Sequence, residues 1–216
     1  MTYSVKEIYY TLQGEGAQSG RAAVFLRFAG CNLWSGLEKD RQDAVCRFCD
    51  TDFVGTDGVG GGKFADAPSL ARAVFALWPE HAPSKSNRGK PYVVCTGGEP
   101  LLQLDKGLVA ALHEEGFEIG IETNGTLLPP SGIDWVCVSP KADAEQKLKH
   151  GDELKLIYPQ AGAAPERYAG QDFRNFFLQP MDNADRAANT EAATRYCLEH
   201  PQWRLSLQTH KLIGIR

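Results

Sequence analysis

Three cysteines fall in the stretch CNLWSGLEKDRQDAVCRFCDTD, residues 31–52, at a C-x14-C-x2-C spacing. Cys46 and Cys49 are close enough in sequence to put both thiolates on one metal or cluster, and Cys31 joins them if the loop between folds back. The set has three soft ligands and no obvious fourth, since the nearest histidine, His81, lies outside the stretch. A structural zinc is closed by four ligands, whereas a site one ligand short keeps a position open for a substrate or cofactor. An iron-sulfur cluster with one unliganded iron is therefore the leading reading. A structural zinc site and, behind it, a disulfide are the alternatives. Cys95, Cys137 and Cys197 sit far apart in apolar or helical settings and read as reduced packing residues. Directly after the soft ligands come Asp50, Thr51 and Asp52, hard oxygen donors of the kind Mg²⁺ prefers. The same aspartates are equally suited to capping a turn.

Further chemistry is scattered along the chain. Arg27 stands inside an apolar strand run between Leu26 and Phe28. A buried guanidinium needs an anion, either a carboxylate of the protein or one carried by a ligand. The glycine-rich connection QGEGAQSGR places Gln13, Glu15 and bare backbone after a strand, where a ligand site or an ordinary hairpin would both be at home. GTDGVGGGK resembles a phosphate loop only superficially. The first glycine of G-x4-G-K would fall on Asp57, and Phe64 follows Lys63 in place of Ser or Thr, so a flexible surface loop is expected.

These residues must be positioned by a regular frame. VKEIYYTL and AAVFLRFAG read as strands, and Leu70, Ala73, Val74, Leu77 and Trp78 mark a helix stopped by Pro79. A polar connection, PEHAPSKSNRGKP, leads to PYVVCT, a continuous apolar run of the kind buried on both faces in a parallel sheet. Leu104, Leu108, Ala111 and Leu112 form the face of a second helix closed by Gly116. Strand-like runs at EIGIET, WVCVS, ELKLIY, NFFLQ and WRLSL then alternate with helical or turn-rich segments, the longest being Ala-rich residues 184–199. The fold class is α/β: a partial (βα) barrel of roughly six parallel strands, open on one side, because a full eight-unit barrel takes about 250 residues. Ligand sites in such folds lie at the C-terminal ends of the strands, which here carry Thr96-Gly97-Gly98-Glu99, Glu122-Thr123-Asn124, Ser139-Pro140-Lys141, Gln179-Pro180-Met181-Asp182 and Gln208-Thr209-His210-Lys211. Five polar ends in one ring point to a pocket for a polar small molecule.

Composition bounds the alternatives. The 216 residues suit a single domain, residues 1–216, and 43% apolar with 23% charged residues suits a soluble globular protein. A net charge of −4 supplies no basic field for nucleic acid or an anionic membrane. Neither an apolar leader core nor a run of about 18 apolar residues is found, so a cytoplasmic location is expected.

The cysteine cluster, Gly97-Gly98-Glu99-Pro100 after a buried strand and the partial barrel together resemble the radical S-adenosylmethionine superfamily, although its usual spacing is C-x3-C-x2-C and eleven residues are inserted here. Leu12-Gln13-Gly14-Glu15-Gly16, Phe28-Ala29-Gly30-Cys31-Asn32-Leu33, Cys49-Asp50-Thr51, Ser139-Pro140-Lys141 and Gln208-Thr209-His210-Lys211 are similar to the 7-carboxy-7-deazaguanine synthase family, in which the longer spacing also occurs. The resemblance covers nearly the whole chain. It implies that Cys31, Cys46 and Cys49 hold a 4Fe-4S cluster and that Phe48, Cys49, Asp50, Gly98, Ser139, Pro140, Lys141, Gln179, Pro180, Met181 and Asp182 line an S-adenosylmethionine site. Glycine at 98 would let the ligand amine approach backbone carbonyls.

The implied reaction converts 6-carboxy-5,6,7,8-tetrahydropterin to 7-carboxy-7-deazaguanine with loss of ammonia, in queuosine-type deazapurine biosynthesis. Leu12, Gln13, Gly14, Glu15, Arg27, Thr96 and His210 would hold the pterin, with the substrate carboxylate as the anion of Arg27. Thr51 would ligate Mg²⁺. An electron donor such as flavodoxin and a homodimeric state are implied as well. Two other classes stay open: an activase that places a glycyl radical on a partner protein, and a zinc-stabilised binding module without catalysis. A last expectation concerns the tail. Residues 210–216, if extended, reach about 20 Å and could lay the α-carboxylate of Arg216 against the pterin N–H and amino groups.

Overall fold

The computed structural model describes residues 2–79 and 90–216. His81 and most of the polar connection expected over residues 79–91 lie outside them. The elements in chain order are β1 (Tyr3–Leu12), β2 (Ala22–Phe28), β3 (Gly62–Phe64), α1 (Ala67–Phe75), β4 (Tyr92–Gly97), α2 (Lys106–Glu114), β5 (Glu118–Thr123), β6 (Trp135–Val138), β7 (His150–Tyr158), β8 (Asp172–Pro180), α3 (Arg186–Glu199), β9 (Trp203–Leu205) and α4 (Thr209–Ile213).

The strands form one nine-stranded sheet in the order β3-β1-β2-β4-β5-β6-β7-β8-β9. β1 runs antiparallel to β2 and β3, and every pairing from β2 to β9 is parallel. The expected six parallel strands are thus exceeded. β2, which precedes the cysteines, joins the parallel set by pairing Val24 with Val93 and Phe28 with Gly97. The expectation of a regular βα repeat is also corrected, because among the described residues α-helices follow only β3, β4, β8 and β9. Pro129 and Pro130, with glycines at 125 and 132, exclude a helix between β5 and β6, and Pro159 and Pro165 act likewise after β7.

The glycine-rich segment is less free than its composition suggests. Gly58 donates to the Lys6 carbonyl at 3.0 Å, Ile8 to the Val59 carbonyl at 2.8 Å, and Lys63 pairs with Ser4 in the edge strand β3. Local chemistry starts the first two helices. Asp66 caps α1 by accepting from Ser69 N, and Asp105 caps α2 by accepting from Leu108 N.

Alternation along the strands divides the side chains between two faces. On the outer face, Val24, Leu26, Val93, Cys95, Ile119 and Ile121 pack beneath Leu70, Val74, Leu108 and Leu112 of α1 and α2. A separate outer core joins Val138, Leu154, Leu156 and Leu178 to Ala193 of α3 and Trp203. Each fully buried leucine in these cores contributes on the order of 2 kcal/mol. On the inner face, Ala23, Phe25, Tyr92 and Val94 form an apolar floor, with Tyr9 stacked on Phe25 at 5.5 Å. Polar residues occupy the same inner face toward the C-terminal strand ends. The sheet curves around a cavity there.

Candidate active site

The cavity has a volume of about 350 Å³. Cys31, Cys46 and Cys49 line one end of it. Cys31 follows β2 directly, and the loop between it and Cys46 returns because Val45 N and Cys46 N both reach the Leu33 carbonyl, at 3.1 and 3.4 Å. Trp34, Ala44 and Phe53 form a small core under the loop, against which Cys31 and Cys49 pack. Arg41 lies over the Trp34 ring at 4.1 Å and donates to the carbonyls of Arg47 (2.8 Å) and Cys49 (3.1 Å). An insertion that spacing alone leaves loose is therefore pinned by one guanidinium.

Among the described residues no three His, Cys, Asp or Glu side chains close on a point as the ligands of a single ion would. A four-iron cluster makes a different demand, since each thiolate takes its own iron. The donor set suits it. A hydrogen bond from Cys46 lowers the Cys49 thiol to about 6, and Leu33 N donates to Cys31 Sγ at 3.4 Å. The same hydrogen bond, with burial, holds Cys46 up, and burial raises Cys31 as it does Cys95 and Cys137; what sets the first three apart is that they gather at one end of the cavity, while Cys197 is half-buried on α3.

Gly98 stands across from Cys31 for a packing reason. A Cβ there would lie 2.3 Å from the Gly30 carbonyl oxygen and 2.6 Å from Cys31 Cβ. The expectation that its hydrogen side chain serves a ligand is thus supplemented by a contact between two loops of the protein. Glu99 is fully buried and accepts from Thr123 Oγ1 and Asn124 N, each at 2.8 Å, and from Leu101 N at 3.0 Å. It clamps the end of β4 to the end of β5. Asn124 and Thr126 extend the clamp to Asn32 beside Cys31.

Charged groups line the opposite end. Arg27 has its anion within the protein, as Nε donates to Glu7 at 2.9 Å and Nη2 to the Tyr9 hydroxyl at 3.1 Å. Gln13 Nε2 donates to Glu122 at 3.1 Å, and Glu15 receives Lys155 Nζ at 2.5 Å and Gln208 Nε2 at 3.1 Å. Gly14 is glycine because a Cβ would meet His210 Nδ1 at 2.2 Å. Thr209 closes that contact by donating its N and Oγ1 to the Gly14 carbonyl, at 3.0 and 2.8 Å.

The sequence-derived site residues therefore converge. Leu12, Gln13, Gly14, Glu15, Arg27, Phe48, Asp50, Thr51, Thr96, Gly98, Ser139, Lys141, Gln179, Pro180, Met181, Asp182, His210 and Arg216 line this cavity together with the three cysteines. Pro140 does not: it is buried, with its carbonyl turned to Gln160. Of the three hard donors after Cys49, Asp52 pairs with Lys6 at 2.9 Å and accepts from Val54 N, the turn-capping alternative, while Asp50 pairs with Lys211 at 2.8 Å. The tail reaches the cavity, although as the short helix α4 and not as an extended strand. Thr11 donates to the Arg216 main-chain oxygen and the Arg216 guanidinium pairs with Glu7.

Sequence reasoning missed Glu7, Tyr9 and Lys155, and it placed Glu122, Gln208 and Lys211 at the strand ends without giving them a role; all six line the cavity. One signal was available. Lys155 sits between Leu154 and Leu156, the same charged interruption of an apolar strand that marks Arg27.

An open, largely parallel sheet with three cysteines after its first parallel strand and a polar cavity at the C-terminal strand ends defines a class: the radical S-adenosylmethionine enzymes, which use that cofactor with a 4Fe-4S cluster. Comparison with known proteins refines this. No family model matches the chain. Curated 7-carboxy-7-deazaguanine synthases from Bordetella pertussis and Caulobacter vibrioides are 65% and 63% identical to it, each over 100% of both chains. The crystal structure of QueE from Escherichia coli superposes with a TM-score of 0.68 at 26% identity, covering 96% of this chain and 94% of that one. The chain belongs to the 7-carboxy-7-deazaguanine synthase family. The activase and zinc-module readings are set aside by that membership. No helix among the described residues is long and apolar enough to cross a membrane.

Proposed function

We propose that this chain is a carbon-nitrogen lyase converting 6-carboxy-5,6,7,8-tetrahydropterin to 7-carboxy-7-deazaguanine with release of ammonia. The observation that carries the reading is one cavity with a three-thiol end and an end of fixed charges. Its volume of about 350 Å³ suits small molecules. When bound and reduced, the cluster and S-adenosylmethionine supply a 5'-deoxyadenosyl radical able to abstract hydrogen from the substrate.

The chain's own residues bind, orient and shield. Cys31, Cys46 and Cys49 would hold the cluster. Phe48, Asp50, Gly98, Ser139, Lys141 and the run Gln179 to Asp182 would wall the S-adenosylmethionine, with Pro140 shaping that wall from behind. Arg27, oriented by Glu7 and Tyr9, would take the substrate carboxylate. Leu12 to Glu15, Thr96, His210 and the Arg216 end of the chain would enclose the pterin. The aromatic pair Tyr9 and Phe25 closes the floor against water. Thr51 is the proposed Mg²⁺ ligand, with substrate and water completing the octahedron. A flavodoxin-type donor, a homodimeric state and a cytoplasmic location belong to the same proposal.

The test is direct. Anaerobic, reduced holoenzyme given S-adenosylmethionine and the carboxytetrahydropterin should form 7-carboxy-7-deazaguanine and ammonia. Thorough chelation should slow turnover, and Mg²⁺ should restore it. A fully loaded enzyme that cleaves S-adenosylmethionine yet leaves the pterin unchanged would overturn the assignment.

A further inference from the structure

Lys155 lies in the middle of β7 and is only 3% exposed. Its Nζ reaches Glu15 Oε2 at 2.5 Å and Glu122 Oε1 at 3.2 Å, so one ammonium joins two carboxylates brought from the β1–β2 loop and from β5. Each of those carboxylates is tied down by neutral donors as well. Glu122 accepts from Gln13 Nε2 at 3.1 Å and from Thr96 Oγ1 at 3.3 Å, and Glu15 accepts from Gln208 Nε2. A third carboxylate, Glu153, lies two residues away on the same inner face, accepts Ala17 N at 2.8 Å, and is pushed up by its own burial.

Two half-buried carboxylates gathered on one ammonium repel each other once it is gone, because like charges at close range disfavour one another. We infer that Lys155 is a positioning residue whose ammonium holds Glu15 and Glu122 in place as paired acceptors for the N–H donors of the substrate heterocycle. The inference rests on the pterin-class substrate proposed above and adds the element that makes its acceptors competent. Lys155 is committed to the two carboxylates and does not take part in bond making. A lysine is suited to this because its three donors can serve several oxygens at once.

The electrostatics run in the required direction. Burial pushes Glu15 upward, but Lys155, Gln208 and His210 together hold it well below the usual carboxylate range. Burial pulls Lys155 downward, yet Glu122, Glu15, Cys137 and Glu153 facing it hold it well above its ordinary value. The groups that face this ammonium are therefore Glu15 from the first loop, Glu122 from β5, Cys137 from β6 and Glu153 from its own strand, with His210 of α4 beyond Glu15. Removing the cation leaves Glu15 with the upward push of burial and without its main counter-charge, so its carboxyl takes up a proton at higher pH than in the parent. A protonated carboxyl presents one donor where the substrate also presents donors, so binding should recover as pH rises through the raised value.

The experiment compares holoenzyme carrying Lys155→Met or Lys155→Arg with the parent between pH 6 and 9. In Lys155→Met, iron content and S-adenosylmethionine affinity should match the parent, while KM for the carboxytetrahydropterin rises at least about tenfold at pH 6.5 and falls back toward the parent value by pH 9. Lys155→Arg should keep KM within about threefold and the parent's pH profile. A loss of affinity equal at every pH, or no change at all, would overturn the inference. A second readout needs no substrate: carboxyl carbon NMR of glutamate-labelled protein, assigned with Glu15→Gln and Glu122→Gln. In Lys155→Met the Glu15 titration should move upward from its position in the parent, and an unmoved Glu15 would overturn the role even if the pterin proved to be the wrong substrate. If Lys155→Met does not fold, Lys155→Met in the Glu122→Gln background relieves the repulsion. Glu15 in that protein should still titrate well above its position in Glu122→Gln alone, and an unmoved Glu15 would overturn the role.

Discussion

At the level of single residues, the cysteines separate into two chemical kinds that spacing alone already distinguishes. Cys31, Cys46 and Cys49 gather at one end of the cavity, where Cys46 draws Cys49 toward the thiolate, whereas Cys95 and Cys137 stand singly in strands and are held protonated by burial. Alanine at any of the first three should abolish cluster incorporation, measured as iron per chain after anaerobic reconstitution. Alanine at Cys95, Cys137 or Cys197 should leave iron content intact, and full iron in Cys46→Ala would contradict the ligand set. Gly14 gives a second residue-level expectation. A methyl placed 2.2 Å from His210 Nδ1 must displace that ring, so Gly14→Ala should raise KM for substrate at least about tenfold with unchanged iron content. An unaltered KM would show that His210 swings aside without consequence. Residue types were legible in the sequence because sulfur donors and lone charges in apolar strands are rare. Lys155 carried the same mark as Arg27, but its partners Glu15 and Glu122 lie far off in sequence, and only the sheet brings them together.

At the level of elements, the alternation of apolar and polar runs located every strand from β4 to β9, because period two and flanking glycines or prolines are local signals. The crossovers were less legible. Turn-rich segments between β5 and β8 replace the helices that a regular repeat implies, and the edge strand β3 hides in a glycine-rich run whose pairing with β1 no local pattern announces. The insertion between Cys31 and Cys46 is the element most dependent on one side chain. Arg41 joins Trp34 to the carbonyls of Arg47 and Cys49, so Arg41→Ala should lower cluster occupancy and speed iron loss to a chelator, while Arg41→Lys, which can donate to the carbonyls but lacks the planar group that stacks on Trp34, should fall between. Equal iron retention in all three proteins would mean that the small apolar core beneath the loop suffices.

At the level of the whole molecule, α4 has no buried residue, yet Lys211 bridges Asp50 and Asp182 at 2.8 and 2.5 Å and Gln208 bridges Glu15 and Asp50. The segment thus ties the thiol end, the far strand ends and the first loop together at the mouth. Deleting residues 209–216 should shift the melting temperature by no more than about 4 °C, since exposed residues contribute little to stability. It should weaken binding of both S-adenosylmethionine and substrate at least about tenfold. Unchanged affinities would reduce the tail to decoration. The two outer cores carry a different consequence. The half-buried Val136 packs against both. Two cores that meet at one side chain are expected to open separately, so native-state amide exchange should show distinct opening energies for the β1–β5 part and the β6–β9 part, and a single shared energy would refute this. The cavity straddles that seam, with the three thiols and Arg27 on one side and Lys155 and Asp182 on the other. Ligands that bind both sides stabilise only the joined form, so loading the site should fuse the two foldons into one unit of slower exchange.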